Sequence, residues 1–288
     1  MTRRWAERVM GLLFLLCGLT AVVLLALIAA YLFLSGLPAI RELGLGPFLL
    51  GRTWDPDTLQ FGILPLLLAS LWATAGAVVL GVPAGFFTAL LLARAAPPRL
   101  AGLVRGAVDL LAGMPSVVVG LVGMTVLVPL LRERLSLPAG DTLLAAILVL
   151  AVMLLPPVIA VSQDALAAVP AAYEEASLAL GATPEETWLR VTAPAARSGL
   201  AAAAALGVGR ALGEATAVLM VAGNVANMPS LLSSVRLLTT GIAIEMNYAA
   251  PGSLHRQALF SIALVLFVLV VLVNTLLTLA LRRGRGAR

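Results

Sequence analysis

Hydrophobic and polar positions along this chain separate into long blocks rather than alternating over a few residues. Short polar segments divide six apolar runs, at residues 9–34, 62–93, 106–131, 142–163, 198–222 and 257–281. A helix that crosses a bilayer needs about 20 mostly apolar residues. The pattern therefore predicts an all-α polytopic membrane protein with six transmembrane helices and with both termini on the same side.

The first run is longer than the apolar region of a signal peptide, which spans about 7 to 15 residues. We therefore expect it to remain as a membrane anchor. On this basis the chain divides into an N-terminal anchor helix with an external segment, residues 1–60, and a transmembrane core, residues 61–288.

Composition supports the membrane assignment and limits the chemistry. The 288 residues are 61% hydrophobic and 11% charged, whereas about a quarter of the residues in soluble domains are charged. The chain has no lysine, so it lacks the Lys of a nucleotide-binding P-loop, and any ATP that drives it must bind to another subunit. One Cys and one His are too few for a structural zinc site. We expect no cofactor on this chain.

The arginines are distributed unevenly between the two sides of the predicted bundle. Twelve fall in the N-terminal segment, the loops 94–105 and 164–197, and the C-terminal tail, and six fall in the opposite loops. Because short cytoplasmic loops are enriched in Arg and Lys, both termini and the loop 164–197 are predicted to be cytoplasmic. The expected location is a cell membrane.

Several spans carry features that a simple anchor would not need. Pro115 and the pair Pro156-Pro157 interrupt the third and fourth runs, and broken helices in a bundle are typical of a transport pathway. Arg210 and Glu214 lie four residues apart in the fifth run, a spacing that predicts a shared helix face. Such a pair either lines a pathway or only neutralises itself so that the helix can insert.

The loop 164–197 is the longest on the predicted cytoplasmic side and reads as two short helices. The first is expected to begin at Pro170 and to end at Gly181, since glycine adopts the left-handed conformation that ends helices. In the second, Thr183 and Glu186 have the spacing of a capping box, and Pro194 is predicted to stop the helix.

This loop resembles a motif in the permease subunits of bacterial binding-protein-dependent ABC importers. The motif reads Glu-Ala-Ala, three residues, Gly, nine residues, Ile, one residue, Leu-Pro; the matching positions here are Glu175-Ala176-Ser177, Gly181, Val191, Ala193 and Pro194. The resemblance implies a type I ABC importer permease fold, with a coupling helix that docks on an ATPase subunit. The implied coupling residues are Glu174, Glu175, Ala176, Ser177 and Gly181.

Three further strings resemble the permeases of phosphate-specific importers, and among them the PstC type more than its partner PstA. They are residues 209–224, residues 111–121, and Trp54 with residues 61–65, so that the resemblance runs from about residue 54 to about residue 275. It implies translocation of inorganic phosphate by Arg210 and Glu214, with Ser116, Thr216 and Asn224 as polar neighbours.

The resemblance also implies a location, the bacterial inner membrane, and partners. The partners are a homologous PstA-type permease, two PstB-type ATPase subunits that bind ATP and Mg²⁺, and an external PstS-type phosphate-binding protein. Membrane lipid surrounds the assembly, and no nucleic acid takes part.

Other functions remain open at this stage. An importer for sulfate, molybdate or tungstate would carry similar motifs. A secondary anion transporter that works without ATP would explain the spans and the buried charges, but would leave the loop 164–197 without a purpose. An intramembrane enzyme is disfavoured because His255 falls in a loop, where we expect it to be solvated and without a role, and because Asp109 and Asp164 lie near span ends.

Overall fold

The computed structural model describes residues 2–283, and the regular secondary structure in that part of the chain is helical apart from one small hairpin and one isolated parallel bridge between Gly223 and Val235. The α-helices are α1 Thr2–Leu43, α2 Leu45–Leu50, α3 Leu64–Leu90, α4 Pro98–Gly113, α5 Ser116–Val122, α6 Val128–Arg134, α7 Leu143–Ala167, α8 Ala171–Ala179, α9 Pro184–Thr187, α10 Ala193–Ala195, α11 Arg197–Gly213, α12 Thr216–Val221, α13 Leu238–Glu245 and α14 Leu254–Arg283. Three π-helical turns, Leu91–Ala95, Gly123–Leu127 and Trp188–Thr192, follow α3, α5 and α9. The hairpin pairs β1 Trp54–Asp55 with β2 Gln60–Phe61 in antiparallel register. Arg285 and Arg288 of the predicted basic tail lie outside the described residues.

Five of the six predicted runs correspond to candidate spans, whereas the fifth, 198–222, is divided between α11 and α12. In the described residues, the helices long and apolar enough to cross a membrane are Val9–Leu43, Leu64–Ala95, Ser116–Arg134, Leu143–Ala167 and Leu254–Leu277. The sixth candidate is the pair Pro184–Ala195 and Arg197–Gly213, whose axes meet at 73°. The predicted class of a polytopic all-α membrane protein is confirmed.

The third span begins later than the apolar run suggested. The chain leaves the helical conformation at Met114 and Pro115, where ψ is 129° and 142°. Proline disfavours the helical conformation of the residue before it, which explains a break at this point. Residues 106–113 therefore belong to the separate helix α4, and the span itself starts at Ser116.

Small residues let the two central helices approach closely. A side chain added at Gly81 would lie 2.9 Å from the carbonyl oxygen of Ala151, and one added at Gly85 would lie 2.7 Å from a methyl group of Val158. Helices in lipid associate largely through tight van der Waals contact of this kind. The hydrophobic effect contributes little between them, because their apolar surfaces face lipid rather than water before they associate. The packing of α3 on α7 is the centre of the bundle.

The proline pair in the fourth span does not break its helix. Helix α7 runs without interruption from Leu143 to Ala167, with Pro156 and Pro157 inside it. The expectation of a broken helix there is wrong. Proline removes a backbone hydrogen bond but leaves the helix intact where neighbouring helices hold it, and Val158 contacts both Gly85 of α3 and Gly207 of α11.

The bundle has two distinct ends. At one end, which we call the hairpin end, the backbone N–H of Ile63 donates to Phe48, so that the hairpin closes over the start of α3. At the other end, which we call the loop end, Arg94 follows α3 and contacts Glu174 of α8. Any chain that spans a membrane in this way exposes the two ends on opposite sides.

Candidate functional site

The fifth predicted run is interrupted in its middle. Helix α11 ends at Gly213, and Glu214 is extended, with φ −74° and ψ 125°, before α12 begins at Thr216. The carboxylate of Glu214 accepts hydrogen bonds from the backbone N–H groups of Thr216 and Ala217, at 3.1 and 3.2 Å. These N–H groups have no partner inside the helix, so the side chain satisfies the first turn of α12.

The prediction that Arg210 and Glu214 share one helix face is wrong. Only Arg210 belongs to α11, and the carboxylate of Glu214 is engaged with the first turn of α12. No salt bridge among the described residues joins the two side chains. The fifth span thus contains an arginine without a carboxylate partner rather than a self-neutralising pair.

Helix α5, which follows the break at Met114 and Pro115, packs beside α12, which follows the break at Glu214. A side chain added at Gly120 of α5 would lie 2.8 Å from Cα of Ala217, and one added at Gly123 would lie 2.9 Å from Val221 of α12. These two contacts advance in the same direction along both helices, so α5 and α12 are parallel. The first turns of both helices, and both breaks, therefore lie at similar depth.

The structure brings together some of the predicted polar neighbours and separates one. Ser116 is half-buried in the first turn of α5, and Thr216 is exposed in the first turn of α12. Asn224 lies beyond α12 with φ 58°, and its amide donates to the carbonyl of Leu219 at 2.6 Å. Its backbone carbonyl accepts from Arg236 at 2.9 Å, which places it in the hairpin-end loop rather than at the breaks.

A cavity of about 310 Å³ opens beside the breaks and is lined by Arg210. Its other polar side chains are Arg105 and Asp109 of α4 and Gln163 of α7, and its apolar wall includes Met114 and both prolines of α7. Arg105 is not among the predicted site residues. The sequence does contain one indication of it, because Arg105 and Asp109 are four residues apart and so lie on one face of α4. This helix begins close to the end of the second span.

The predicted architecture of the loop 164–197 agrees with the structure in most details. Helix α8 is followed by Gly181, whose φ is 89°, and Thr183 forms a complete capping box with Glu186. Pro194, however, does not stop the second helix, which continues to Ala195 and bends only at the next residue. The π-helical turn Trp188–Thr192 comes just before this proline and alters the local hydrogen bonding, so its missing N–H is tolerated.

The predicted coupling residues divide into an inward and an outward set. Glu174 faces inward, because its carboxylate pairs with Arg94 at 2.9 Å and accepts from the hydroxyl of Thr192 at 3.0 Å. The hydroxyl of Ser177 lies 2.8 Å from that of Thr187, which ties α8 to α9. The exposed residues of the set are Glu175, Ala176 and Gly181.

The hairpin end contains a polar cluster that the sequence did not reveal. Glu245 is buried, and it accepts hydrogen bonds from the indole N–H of Trp54 at 2.9 and 3.0 Å and from the guanidinium of Arg236. His255 places Nε2 2.8 Å from the same carboxylate and stacks on the ring of Phe61. The expectation that His255 is solvated in a loop is therefore wrong, since the residue lies in the first turn of α14 and contacts Glu245. We call Trp54, Arg236, Glu245 and His255 the hairpin-end cluster.

The hairpin itself is held by local hydrogen bonds. The hydroxyl of Thr58 donates to Asp55 at 2.8 Å, and the backbone N–H of Asp57 donates to it at 3.0 Å. These two bonds stabilise the carboxylate and lower the pKa of Asp55 below its ordinary value of 3.8. The hairpin positions Trp54 for its contact with Glu245, 191 residues further along the chain.

Comparisons with known proteins agree with this architecture. A family described as "Binding-protein-dependent transport system inner membrane component" matches residues 81–285. The "Phosphate transport system permease protein PstC" of Haemophilus influenzae is 34% identical over 93% of this chain and 91% of its own length. The Bacillus subtilis protein YqgH, named a probable ABC transporter permease, is 36% identical over 88% of this chain and 84% of its own length.

Among solved structures, a chain of the inward-facing MetNI methionine ABC transporter has a similar fold. The TM-score is 0.60, and the likeness covers 80% of this chain and 99% of that chain at 21% identity. At this identity the likeness concerns the fold alone. It bears out the type I importer architecture that the sequence motifs implied.

Proposed function

Because the chain belongs to the family of binding-protein-dependent transport system inner membrane components, we propose that it is the permease subunit of an ATP-driven importer of inorganic phosphate. The observation that carries the proposal is the likeness to the Haemophilus influenzae PstC protein over 93% of this chain. The phosphate-type strings at residues 111–121 and 209–224 form the two broken segments that pack beside each other, which supports a common role in translocation.

Arg210 is the proposed anion-binding residue. It is the one arginine of the apolar run 198–222, and it makes no hydrogen bond or ion pair to any described residue, so its guanidinium is available to an oxyanion. A guanidinium donates paired, charge-assisted hydrogen bonds that match the geometry of a phosphate. An arginine inside a span is costly unless it faces a cavity, and the cavity at this position meets that requirement.

The other members of the translocation set have supporting roles. Glu214 fixes the break by holding the first turn of α12, and its negative charge near Arg210 keeps the anion from binding too tightly. Ser116 and Thr216 present hydroxyls in the first turns of α5 and α12, where they can donate to the anion as it passes. Asn224 lies in the hairpin-end loop, where the anion would enter, and so belongs to the start of the path.

The outward face of α8 is the proposed coupling surface for an ATPase subunit. Leu180 is 90% exposed and Tyr173 is 55% exposed at the tip of the bundle's loop end, and Glu175 lies between them on the same helix. An amphipathic helix of this kind docks in a groove of a partner protein. The ion pair between Arg94 and Glu174 connects α8 to α3, so movement of the docked helix would be transmitted to the centre of the bundle.

The proposed assembly contains this chain, a homologous permease, two ATPase subunits that bind ATP and Mg²⁺, and an external binding protein. The loop end faces the cytoplasm together with both termini, in agreement with the distribution of arginines. In this orientation the hairpin end faces the binding protein, and the anion passes from the hairpin end to the loop end.

The identity of the anion is tested by competition in proteoliposomes. The complete complex is reconstituted with ATP inside the vesicles and with the binding protein outside, and uptake of labelled phosphate is measured while unlabelled sulfate or molybdate is added in excess. The proposal predicts that uptake continues and that only unlabelled phosphate suppresses it. Uptake that sulfate or molybdate abolishes would assign the complex to another oxyanion.

A further inference from the structure

The cavity beside Arg210 contains a second arginine that the proposed function does not use. Arg105 of α4 and Arg210 of α11 line the same space of about 310 Å³, although 105 positions separate them in the chain. A single water needs only about 10–15 Å³ of such space. A cavity of about 310 Å³ is therefore large enough for a small anion together with several waters. The cavity joins two guanidiniums in one compartment.

The charges around this compartment favour an anion that is bound weakly. Arg105 makes one long hydrogen bond, from Nη2 to the carbonyl of Leu92 at 3.4 Å, so most of its N–H donors have no partner among the described residues. Asp109 lies one helical turn later on α4 and forms no described ion pair with either arginine. Gln163 adds an amide from α7. Two positive charges and one negative charge leave a net attraction for an anion.

The apolar lining strengthens this attraction. Val108, Met114 and Met153 form part of the wall, and low-dielectric walls concentrate the field of the charges between them. The two prolines of α7 also line the space. The exposed side chains of Arg105, Asp109 and Arg210 therefore line a space whose walls are otherwise largely hydrophobic.

The cavity extends from the breaks towards the loop end of the bundle. Arg105 precedes Met114 by nine residues, which is about 13 Å along a helix. Leu92, which contacts Arg105, lies in the π-helical turn after α3, two residues before the Arg94 that pairs with Glu174 of the coupling helix. The two arginines are thus placed in series, with Arg105 nearer the proposed ATPase side.

We propose that Arg105 and Asp109 form a second, exit-side binding site for the translocated oxyanion. Arg105 accepts the anion after it leaves Arg210, and Asp109 weakens the hold so that the anion is released into the cytoplasm. This inference rests on the proposed function. It adds a residue pair that binds the anion between Arg210 and the cytoplasm. The ligand is a phosphate oxyanion. Vesicles with and without anionic lipid distinguish the free anion from a lipid headgroup.

The test compares Arg105→Gln with Arg99→Gln in the reconstituted complex. Arg99 lies on the same helix, is exposed and does not line the cavity, so it controls for the loss of one positive charge. We expect Arg105→Gln to lower phosphate uptake by about tenfold, the effect of losing one charge-assisted hydrogen bond, while ATP hydrolysis stimulated by the binding protein continues. Arg99→Gln should stay close to the unsubstituted complex.

Different results separate the possible failures. If the unsubstituted complex imports phosphate and Arg105→Gln imports it equally well, the exit site is refuted. If the unsubstituted complex imports no phosphate, the proposed function itself fails. A defect of Arg105→Gln that appears only in vesicles containing anionic lipid, and disappears in vesicles of phosphatidylcholine alone, would show that Arg105 binds a headgroup and would also refute the exit site.

A second variant tests the exit site if the complex with Arg105→Gln fails to assemble. Asp109→Asn removes the charge that favours release, so the exit site should hold the anion longer. We expect lower values of both the maximal uptake rate and the KM for loaded binding protein. A variant that assembles with both parameters unchanged would overturn the proposal.

Discussion

Replacing the buried carboxylate of the hairpin-end cluster should destabilise the protein more than any surface change. Glu245→Leu would leave Arg236 without its ion-pair partner, and removing one member of a buried pair costs about 3–5 kcal/mol. Arg236 still donates to the carbonyl of Asn224 at 2.9 Å and is 20% exposed, so the lower end of this range, about 3 kcal/mol, applies. The indole of Trp54 and the imidazole of His255 would lose the same acceptor.

The effect is measurable as thermal unfolding in detergent, followed by far-ultraviolet circular dichroism. For a chain of this size about 1 kcal/mol corresponds to about 1.7 °C, so Tm should fall by about 5 °C. The matched control is Arg190→Gln, which breaks the exposed pair with Glu186 and should cost about 0.5 kcal/mol or less. The double variant Arg236→Leu with Glu245→Leu should recover part of the loss. If Glu245→Leu melts with the control, the cluster does not stabilise the hairpin end.

Three further predictions concern the path and the coupling loop. Arg210→Gln should abolish phosphate uptake with the ATPase still bound, and loss of the subunit from the membrane would instead indicate a structural role. Gly120→Leu should block the approach of α5 to Ala217 and so reduce uptake at normal expression, as measured in vesicles. Leu180→Asp should reduce co-purification of the ATPase severalfold, whereas Glu185→Gln on the neighbouring helix should not; equal recovery with both variants would contradict the docking surface.

The features that depend on short stretches of sequence were predictable. The length and hydropathy of the runs located α1, α3 and α14, since a helix in lipid must satisfy its own backbone. The capping box at Thr183 and the left-handed Gly181 are local hydrogen-bonding and backbone preferences, and both appear as expected.

The course of the fifth span could not be predicted in the same way. Spacing alone allows Arg210 and Glu214 to share a helix face. The Glu214 carboxylate instead accepts hydrogen bonds from the first turn of α12, a segment that packs against the distant helix α5. The same holds for the proline pair of α7, whose neighbours keep the helix continuous.

The charged clusters depend on contacts between distant parts of the chain. Trp54 and Glu245 are 191 positions apart, and nothing near either residue indicates the other. Arg105 and Arg210 come together only because α4 and α11 line one cavity with α7. Residues of this kind are visible in a sequence only as charges in an apolar chain, without an indication of their partners.

The most direct test of the central claim is whether phosphate accumulates in proteoliposomes at the expense of ATP. The vesicles hold this chain, its sister permease and the ATPase, with ATP and Mg²⁺ inside and loaded binding protein outside. The account predicts that internal labelled phosphate rises above the external concentration and that this requires both ATP and the binding protein. Uptake that proceeds equally without ATP would contradict it and would identify a secondary transporter.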